Sequence, residues 1–220
     1  MAQIFTPRSN GMARLILSLA AIGVAALAVT AYVRARTTPA TDEDRIVHQP
    51  VPFSHQHHVG GLGIHCQYCH TSVERAAYAG IPPTETCMSC HSQMWTSAPI
   101  LEPVRQSLLR DEPIRWNRVH NLPDYVYFKH NAHVANGVGC ETCHGNMAEM
   151  PLVRKVNSLN MGWCLDCHRD PAPHLRPRDA IYEIGWEPPE GQTRRAFGEK
   201  MIHEYLVRDV GMIECNTCHR

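Results

Sequence analysis

The stretch Cys66-Gln67-Tyr68-Cys69-His70 is the first of five segments with the pattern Cys-x-x-Cys-His. The others begin at Cys87, Cys140, Cys164 and Cys215, so these segments use all ten cysteines of the 220-residue chain. In this pattern two thiols reach the two vinyl groups on one edge of a porphyrin, and the next residue ligates the iron through a neutral imidazole nitrogen. The chain is therefore predicted to carry five covalently attached haem c groups.

Each predicted haem takes two cysteines and one proximal histidine from its own segment. The predicted attachment residues are Cys66, Cys69, Cys87, Cys90, Cys140, Cys143, Cys164, Cys167, Cys215 and Cys218. The predicted proximal iron ligands are His70, His91, His144, His168 and His219. Zinc ribbons do not require a histidine after each pair, and a disulfide framework does not force every cysteine into such a pair, so both alternatives are disfavoured.

The composition predicts an unusual fold class. Aromatic residues make up 7% of the chain, and 16 prolines and 14 glycines argue against long regular helices. Because each porphyrin can replace many apolar side chains, we expect a loop-rich multihaem cytochrome c, with short helices packed around five haems and little or no sheet. Helical spacing predicts two such helices, over residues 101–110 and 194–207. The 21 basic and 21 acidic residues cancel, which gives no reason to expect a nucleic-acid partner.

Residues 15–33 form a run of nineteen residues without a charge, long enough to cross a bilayer as a helix. We predict a retained transmembrane helix; a cleaved signal peptide and a buried soluble helix are the alternatives. The expected organisation is a cytoplasmic N-terminus over 1–14, the transmembrane helix over 15–33, a linker over 34–50 and a pentahaem domain over 51–220. Since c-type haem is attached outside the bacterial cytoplasmic membrane, that domain is expected on the periplasmic side of a single-pass protein.

An internal repeat nominates the distal iron ligands. The first cysteines of successive segments are 21, 53, 24 and 51 residues apart, which defines a repeat of about 75 residues. Each copy carries a Phe-x-His-x-x-His motif before its first haem segment, beginning at Phe53 and at Phe128. We predict that one histidine of each motif ligates the haem just downstream and the other a haem further along; the four histidines are His55, His58, His130 and His133.

The fifth distal ligand is less well determined by the pattern. His120 is the first choice, because it lies between the second haem segment and the second Phe-x-His-x-x-His motif. His203, twelve residues before Cys215, is the rival, and Met161 could supply a thioether, although packing against a porphyrin is the simpler interpretation. If every iron has two axial ligands, no position is open for a substrate, so no catalytic residue is expected and the predicted chemistry is electron transfer.

Further motifs give the chain a family resemblance. Residues 78–84 read Tyr-Ala-Gly-Ile-Pro-Pro-Thr, and residues 116–130 read Trp-x-Arg-Val-His-x-Leu-Pro-Asp-x-Val-Tyr-Phe-x-His. With the span and the five haem segments, they resemble the pentahaem cytochrome c subunit of alternative complex III, a bacterial quinol:electron-acceptor oxidoreductase. The haem modules are also similar to the cytochrome c7/c3 group, in which the Phe-x-His-x-x-His histidines are distal ligands.

The resemblance implies a set of partners. An iron–sulfur subunit and polytopic quinol-binding membrane subunits would supply electrons, and a monohaem cytochrome c or a terminal oxidase would accept them. The alternatives are a membrane quinol dehydrogenase of the NapC/NrfH type acting alone, and a haem enzyme such as a nitrite or hydroxylamine converter. The chain contains no Cys-x-x-Cys-Lys segment of the kind that such haem enzymes can use.

Overall fold

The computed structural model describes residues 6–37, 41–208 and 210–219. Within them the chain forms helices joined by turns and irregular segments, with isolated β-bridges and no strand. The expected loop-rich, helical fold class is therefore confirmed. Residues 1–5 and 38–40, which belong to the predicted cytoplasmic N-terminus and linker, lie outside the described residues.

One long helix is followed by many short ones. The α-helices are α1 (Pro7–Ala35), α2 (Cys66–Cys69), α3 (Thr84–His91), α4 (Glu102–Arg110), α5 (His130–Ala135), α6 (Cys140–His144), α7 (Met161–Arg169), α8 (Arg194–Tyr205) and α9 (Cys215–Cys218). Short 3₁₀ turns lie at Pro99–Leu101, Met147–Glu149, Ala172–His174 and Arg178–Ala180, and a π-helical turn covers Gln56–Gly61. Helices α4 and α8 occupy the two segments in which helical spacing predicted them.

The chain divides into two units, Met1–Asp42 and Glu43–Arg220. The first consists mainly of α1, whose 29 residues correspond to a length of about 43 Å. It is long and apolar enough to cross a membrane, with a mean hydropathy of 2.3 over its most apolar window. The helix extends beyond the predicted 15–33 at both ends, because Pro7 fits a first helical position and Arg34 suits the last turn.

The second unit has little apolar core of its own. Its one buried hydrophobic cluster among the described residues contains Val73, Val134 and Ile181, with Ala79 and Tyr182 packed against it. Seven other described hydrophobic residues of this unit are buried, but ten such side chains are too few to balance the conformational entropy of a domain of this size, so the fold requires another source of buried apolar surface. Porphyrin rings would supply that surface.

Part of the segment expected to be a linker belongs to this second unit. The Asp44 amide donates to the carbonyl of Lys155 at 2.7 Å, and Ile46 forms an isolated bridge with Arg154. Further along, the Asn117 side chain donates to the carbonyl of His48 at 2.8 Å. Residues 43–50 therefore belong to the second unit, which carries the Cys-x-x-Cys-His segments.

Helix α8 packs closely against the 3₁₀ turn Ala172–His174. Gly198 is buried at this contact, and a Cβ atom there would clash with the backbone carbonyl of Ala172. Because the obstacle is backbone, the helix would have to move away as a whole.

We predict that Gly198→Ala destabilises the holoprotein by about 2 kcal/mol through this overpacking, which lowers the Tm by about 4–8 °C. Glu199→Ala, an exposed position on the same helix, is the matched control and should leave the Tm nearly unchanged. Thermal melts followed by circular dichroism measure both. Equal Tm values for the two variants would show that α8 does not depend on this contact.

Candidate haem-binding sites

The two cysteines of every Cys-x-x-Cys-His segment lie on a short helix, and His70 and His219 directly follow the helix of their segment. Helices α2, α6 and α9 begin at the first cysteine of a segment, whereas α3 and α7 begin three residues earlier. Residues three apart on a helix lie on one face, so the two sulfurs of each segment point to the same side. No disulfide bond joins any of the ten cysteines, so all are available for attachment. This is the arrangement that attachment to one porphyrin edge requires.

The first Phe-x-His-x-x-His motif faces the first two haem segments. The rings of His55 and His70 are parallel, with centroids 6.5 Å apart and an interplanar angle of 1°. The rings of His58 and His91 are 6.2 Å apart at 67°. One histidine of the motif therefore faces the first segment and the other faces the second.

The second motif repeats this arrangement with the third and fourth segments. His130 and His144 are 6.3 Å apart and nearly parallel at 5°, and His133 and His168 are 6.1 Å apart at 40°. Two imidazoles on opposite sides of one metal, each bound by a nitrogen at about 2 Å, have centroids about 6.4 Å apart. The four observed distances fit one iron between the two members of each pair.

The motif's phenylalanine contacts both histidines that follow it. Phe53 stacks on His58 at 4.3 Å and meets the edge of His55 at 4.9 Å. Phe128 stacks on His133 and meets the edge of His130, both at 4.7 Å. Such ring contacts hold the two imidazoles in different orientations, which allows neighbours on one turn to face different segments.

Hydrogen bonds at Nδ1 leave the opposite ring nitrogen available. Where a carbonyl accepts from Nδ1, the proton is held there and the Nε2 lone pair can bind a metal. Among the proximal histidines, Nδ1 donates to carbonyls 2.7–3.2 Å away in His70, His91 and His168, with Gly80, Met94 and Met212 as acceptors. Among the distal candidates it does so at 2.8–2.9 Å in His58, His130 and His133, with Ser54, Ala77 and Lys129 as acceptors.

Burial favours the neutral form of two further imidazoles, those of His55 and His144. It is the main cause that lowers the pKa of His55 to about 4, with smaller effects from His70 and His58. It also lowers the pKa of His144 to about 3, with nearby histidines adding to the effect. A neutral imidazole is the form that ligates iron.

The fifth segment differs from the other four. His219 lies against the ring of Tyr125, at 5.7 Å and 32°. Within the described residues, the structure brings neither histidine candidate opposite His219. His120 contacts His144 instead, with Nε2 3.3 Å from Nδ1 and centroids 4.4 Å apart, and His203 is exposed near the end of α8. Met161 is also exposed, at the first position of α7.

Direct contacts give the order of the segments in space. The Tyr68 and Ser89 hydroxyls, 2.8 Å apart, join the first segment to the second. His130, which faces the third segment, donates from its amide to Ala77, a few residues after the first. Asn157, shortly before the fourth segment, donates to the carbonyl of Cys143 in the third, and the fourth is joined to the fifth by His168 and Met212. The spatial order is second, first, third, fourth, fifth.

A buried ion pair that no sequence pattern predicts holds the third segment. Arg176 is 2% exposed and donates to Glu141, inside that segment, at 2.7 Å. It also donates to the carbonyl of Glu183 at 2.9 Å, and the Gly185 amide donates to the second oxygen of Glu141 at 2.7 Å. No spacing relates Arg176 to Glu141, since they are 35 residues apart and meet only in the fold.

No protein-family profile matches the chain. A curated relative, the multihaem cytochrome c subunit of menaquinone reductase from Nitratidesulfovibrio vulgaris, is 36% identical over 172 residues. The alignment covers 78% of this chain and 67% of that protein. The chain belongs to this family of multihaem cytochromes c. Membership implies covalently bound haem c, and the ten paired cysteines and the facing imidazoles of this multihaem cytochrome fit that cofactor.

We predict that Arg176→Ala destabilises this multihaem cytochrome by about 3–5 kcal/mol, because it leaves the half-buried Glu141 without its charged partner. Arg169→Ala breaks the exposed 3.6 Å pair with Asp166 and should cost less than about 1 kcal/mol. Urea unfolding of the two holoprotein variants measures the difference. If Arg176→Ala were no more costly than its control, the ion pair would not be what holds the third segment.

Proposed function

We propose that the chain is a membrane-anchored pentahaem c-type cytochrome that relays electrons within a quinone-linked respiratory complex of the alternative complex III type. The observation that carries the proposal is the set of four facing histidine pairs, each joining a Phe-x-His-x-x-His motif to a Cys-x-x-Cys-His segment. The relationship to a subunit of menaquinone reductase supports the link to quinones.

The ten cysteines would hold five haems, and the facing histidine pairs would supply two imidazole ligands to the iron of four of them. Iron with two imidazole ligands has no vacant position for a substrate, so these sites exchange electrons and do not bind reactants. The chain's own part is to hold the sites, set their potentials and exclude water. That His120 ligates the remaining iron stays a prediction, since the structure places His120 against His144 and not opposite His219.

Electrons pass along the spatial order second, first, third, fourth, fifth. Contacts between successive segments support this path, since each step joins residues that touch. The second and fifth segments are its two ends. Partner proteins therefore exchange electrons near Cys87–His91 at one end and near Cys215–His219 at the other.

Helix α1 anchors the chain, and residues after it lie on the periplasmic side. The length and hydropathy of α1 support the anchor, and extracytoplasmic haem attachment supports the orientation. The division of the chain near Asp42 supports a haem-binding domain separate from the anchor. Its partners are an iron–sulfur subunit, polytopic quinol-binding subunits and a monohaem cytochrome c or terminal oxidase.

A second candidate function is that of a menaquinone reductase subunit, because the relative is named as one. In this second function, electrons would enter the chain from the periplasm and leave it to a quinone. The same sites serve both directions, so only the partners and potentials distinguish them. A NapC/NrfH-type dehydrogenase acting alone remains the alternative to either complex.

We predict that extraction in mild detergent yields the chain with iron–sulfur and polytopic membrane subunits, and that a menaquinol analogue reduces its haems. Mass analysis should find five haems attached per chain. A stable monomer reduced directly by the quinol would favour the NapC/NrfH type. Haems that a quinol cannot reduce, but that pass electrons to a quinone, would establish the reductase direction.

We predict that His58→Ala removes one low-spin haem signal, because His58 faces His91 across a single iron site. His57→Ala is the matched control: the neighbouring imidazole lies against Trp95 and faces no haem segment. Electron paramagnetic resonance and near-infrared magnetic circular dichroism count low-spin and high-spin haems in both proteins. Loss of low-spin haem in both variants or in neither would contradict the ligand assignment.

A further inference from the structure

The proximal histidine of the third segment has an unusual hydrogen-bond partner. In the other three facing pairs, the proximal Nδ1 donates to a backbone carbonyl. The Nδ1 of His144 lies instead 3.3 Å from the Nε2 of His120, and the two rings meet edge to face at 75°. An imidazole nitrogen thus replaces the amide oxygen found at the other three.

The position of the proton on His144 follows from its second contact. Its ring faces His130 in a nearly parallel pair, which under the proposed function places Nε2 on the iron. The proton of the neutral ring is then on Nδ1, so His144 donates and His120 accepts. With its Nε2 engaged in this bond, His120 has no Nε2 lone pair left to ligate another iron.

The segment that carries His120 is fixed on both sides. Before it, Asn117 and Gln49 exchange two hydrogen bonds, from the Asn117 amide at 3.0 Å and from the Gln49 side chain at 2.8 Å. After it, the Tyr127 amide donates to the carbonyl of Cys218 at 2.7 Å, and Val126 bridges to His219. These contacts place the half-buried His120 beside His144.

An imidazole nitrogen is a stronger base than a backbone carbonyl oxygen. As acceptor it draws the Nδ1 proton of His144 away from the ring, which increases electron donation from Nε2 to the iron. Greater donation stabilises the oxidised metal and lowers its reduction potential. The third segment occupies the middle of the spatial order, where a lower potential affects transfer in both directions.

We propose that His120 is a positioning residue that lowers the reduction potential of the third haem through its hydrogen bond with His144, and is not a distal ligand. The proposal rests on the His130–His144 ligation of the proposed function. It also accounts for the placement of His120 away from His219.

The test is a redox titration of the full-length holoprotein in its complex, with each haem count checked by mass. His120→Phe should raise the potential of one haem, with about a tenfold higher ferrous-to-ferric ratio at fixed solution potential, or about 59 mV. His120→Gln keeps an oxygen acceptor, as at the other proximal histidines, and should give a smaller shift in the same direction, about threefold. His48→Phe, at an exposed side chain, should change neither value.

Paramagnetic resonance of the same samples separates the two roles of His120. No haem should change its spin state in either variant under the proposal. Conversion of one haem to high-spin would overturn the proposal and make His120 a ligand. Unchanged potentials in the glutamine variant would also overturn it, and this result can be obtained even if the phenylalanine variant does not fold. Wild-type protein without haem at Cys140 and Cys143 would instead contradict the proposed function.

Discussion

The structure depends on pairs of imidazoles that face each other across a gap the width of one metal atom. Each pair joins a helix carrying a cysteine segment to a motif from elsewhere in the chain, such as His55 with His70 or His133 with His168. Under the proposed function an iron would close each gap, and its ligation would supply long-range contacts that side-chain packing does not. The short helices and the irregular connections between them are consistent with a fold that metal ligation, more than side-chain packing, would hold together.

Bound haem would also explain why the apolar core is small. The ten hydrophobic residues buried in the described part of the chain, with Val73, Val134 and Ile181 as their one cluster, are too few for a domain of this size to fold by side-chain packing alone. Burial of the sulfurs points the same way, since it raises the pKa of Cys143 to about 12 and that of Cys140 to about 11. Apolar surroundings at the attachment atoms suit a porphyrin edge. With haem c bound, the core of this domain would therefore be shared between protein and cofactor.

Most of what could be predicted came from composition and from the spacing of residues within short stretches of sequence. The fold class and the helices α4 and α8 followed from composition and periodicity, and the structure has them. The Phe-x-His-x-x-His motif led to the expectation of one near and one more distant partner, because neighbours on a helical turn can be aimed apart; the facing pairs have this geometry, although ligation itself stays a prediction. Contacts set by tertiary structure could not be foreseen. Arg176 meets Glu141, and His120 meets His144, through connections whose course no local pattern encodes.

The spatial order of the segments follows from the repeat. Because the two histidines of a motif are three residues apart, the two sites they face must be neighbours, so each repeat forms a pair. The contact between repeats runs from His130 to Ala77, which brings the first segment of one pair to the first segment of the next. The second segment is thereby left at one end although it lies second in the chain. The segments thus lie in a linear order that differs from their order in the chain. Two features explain it: the three-residue spacing of the motif histidines, and the contact through which the two copies of the repeat meet.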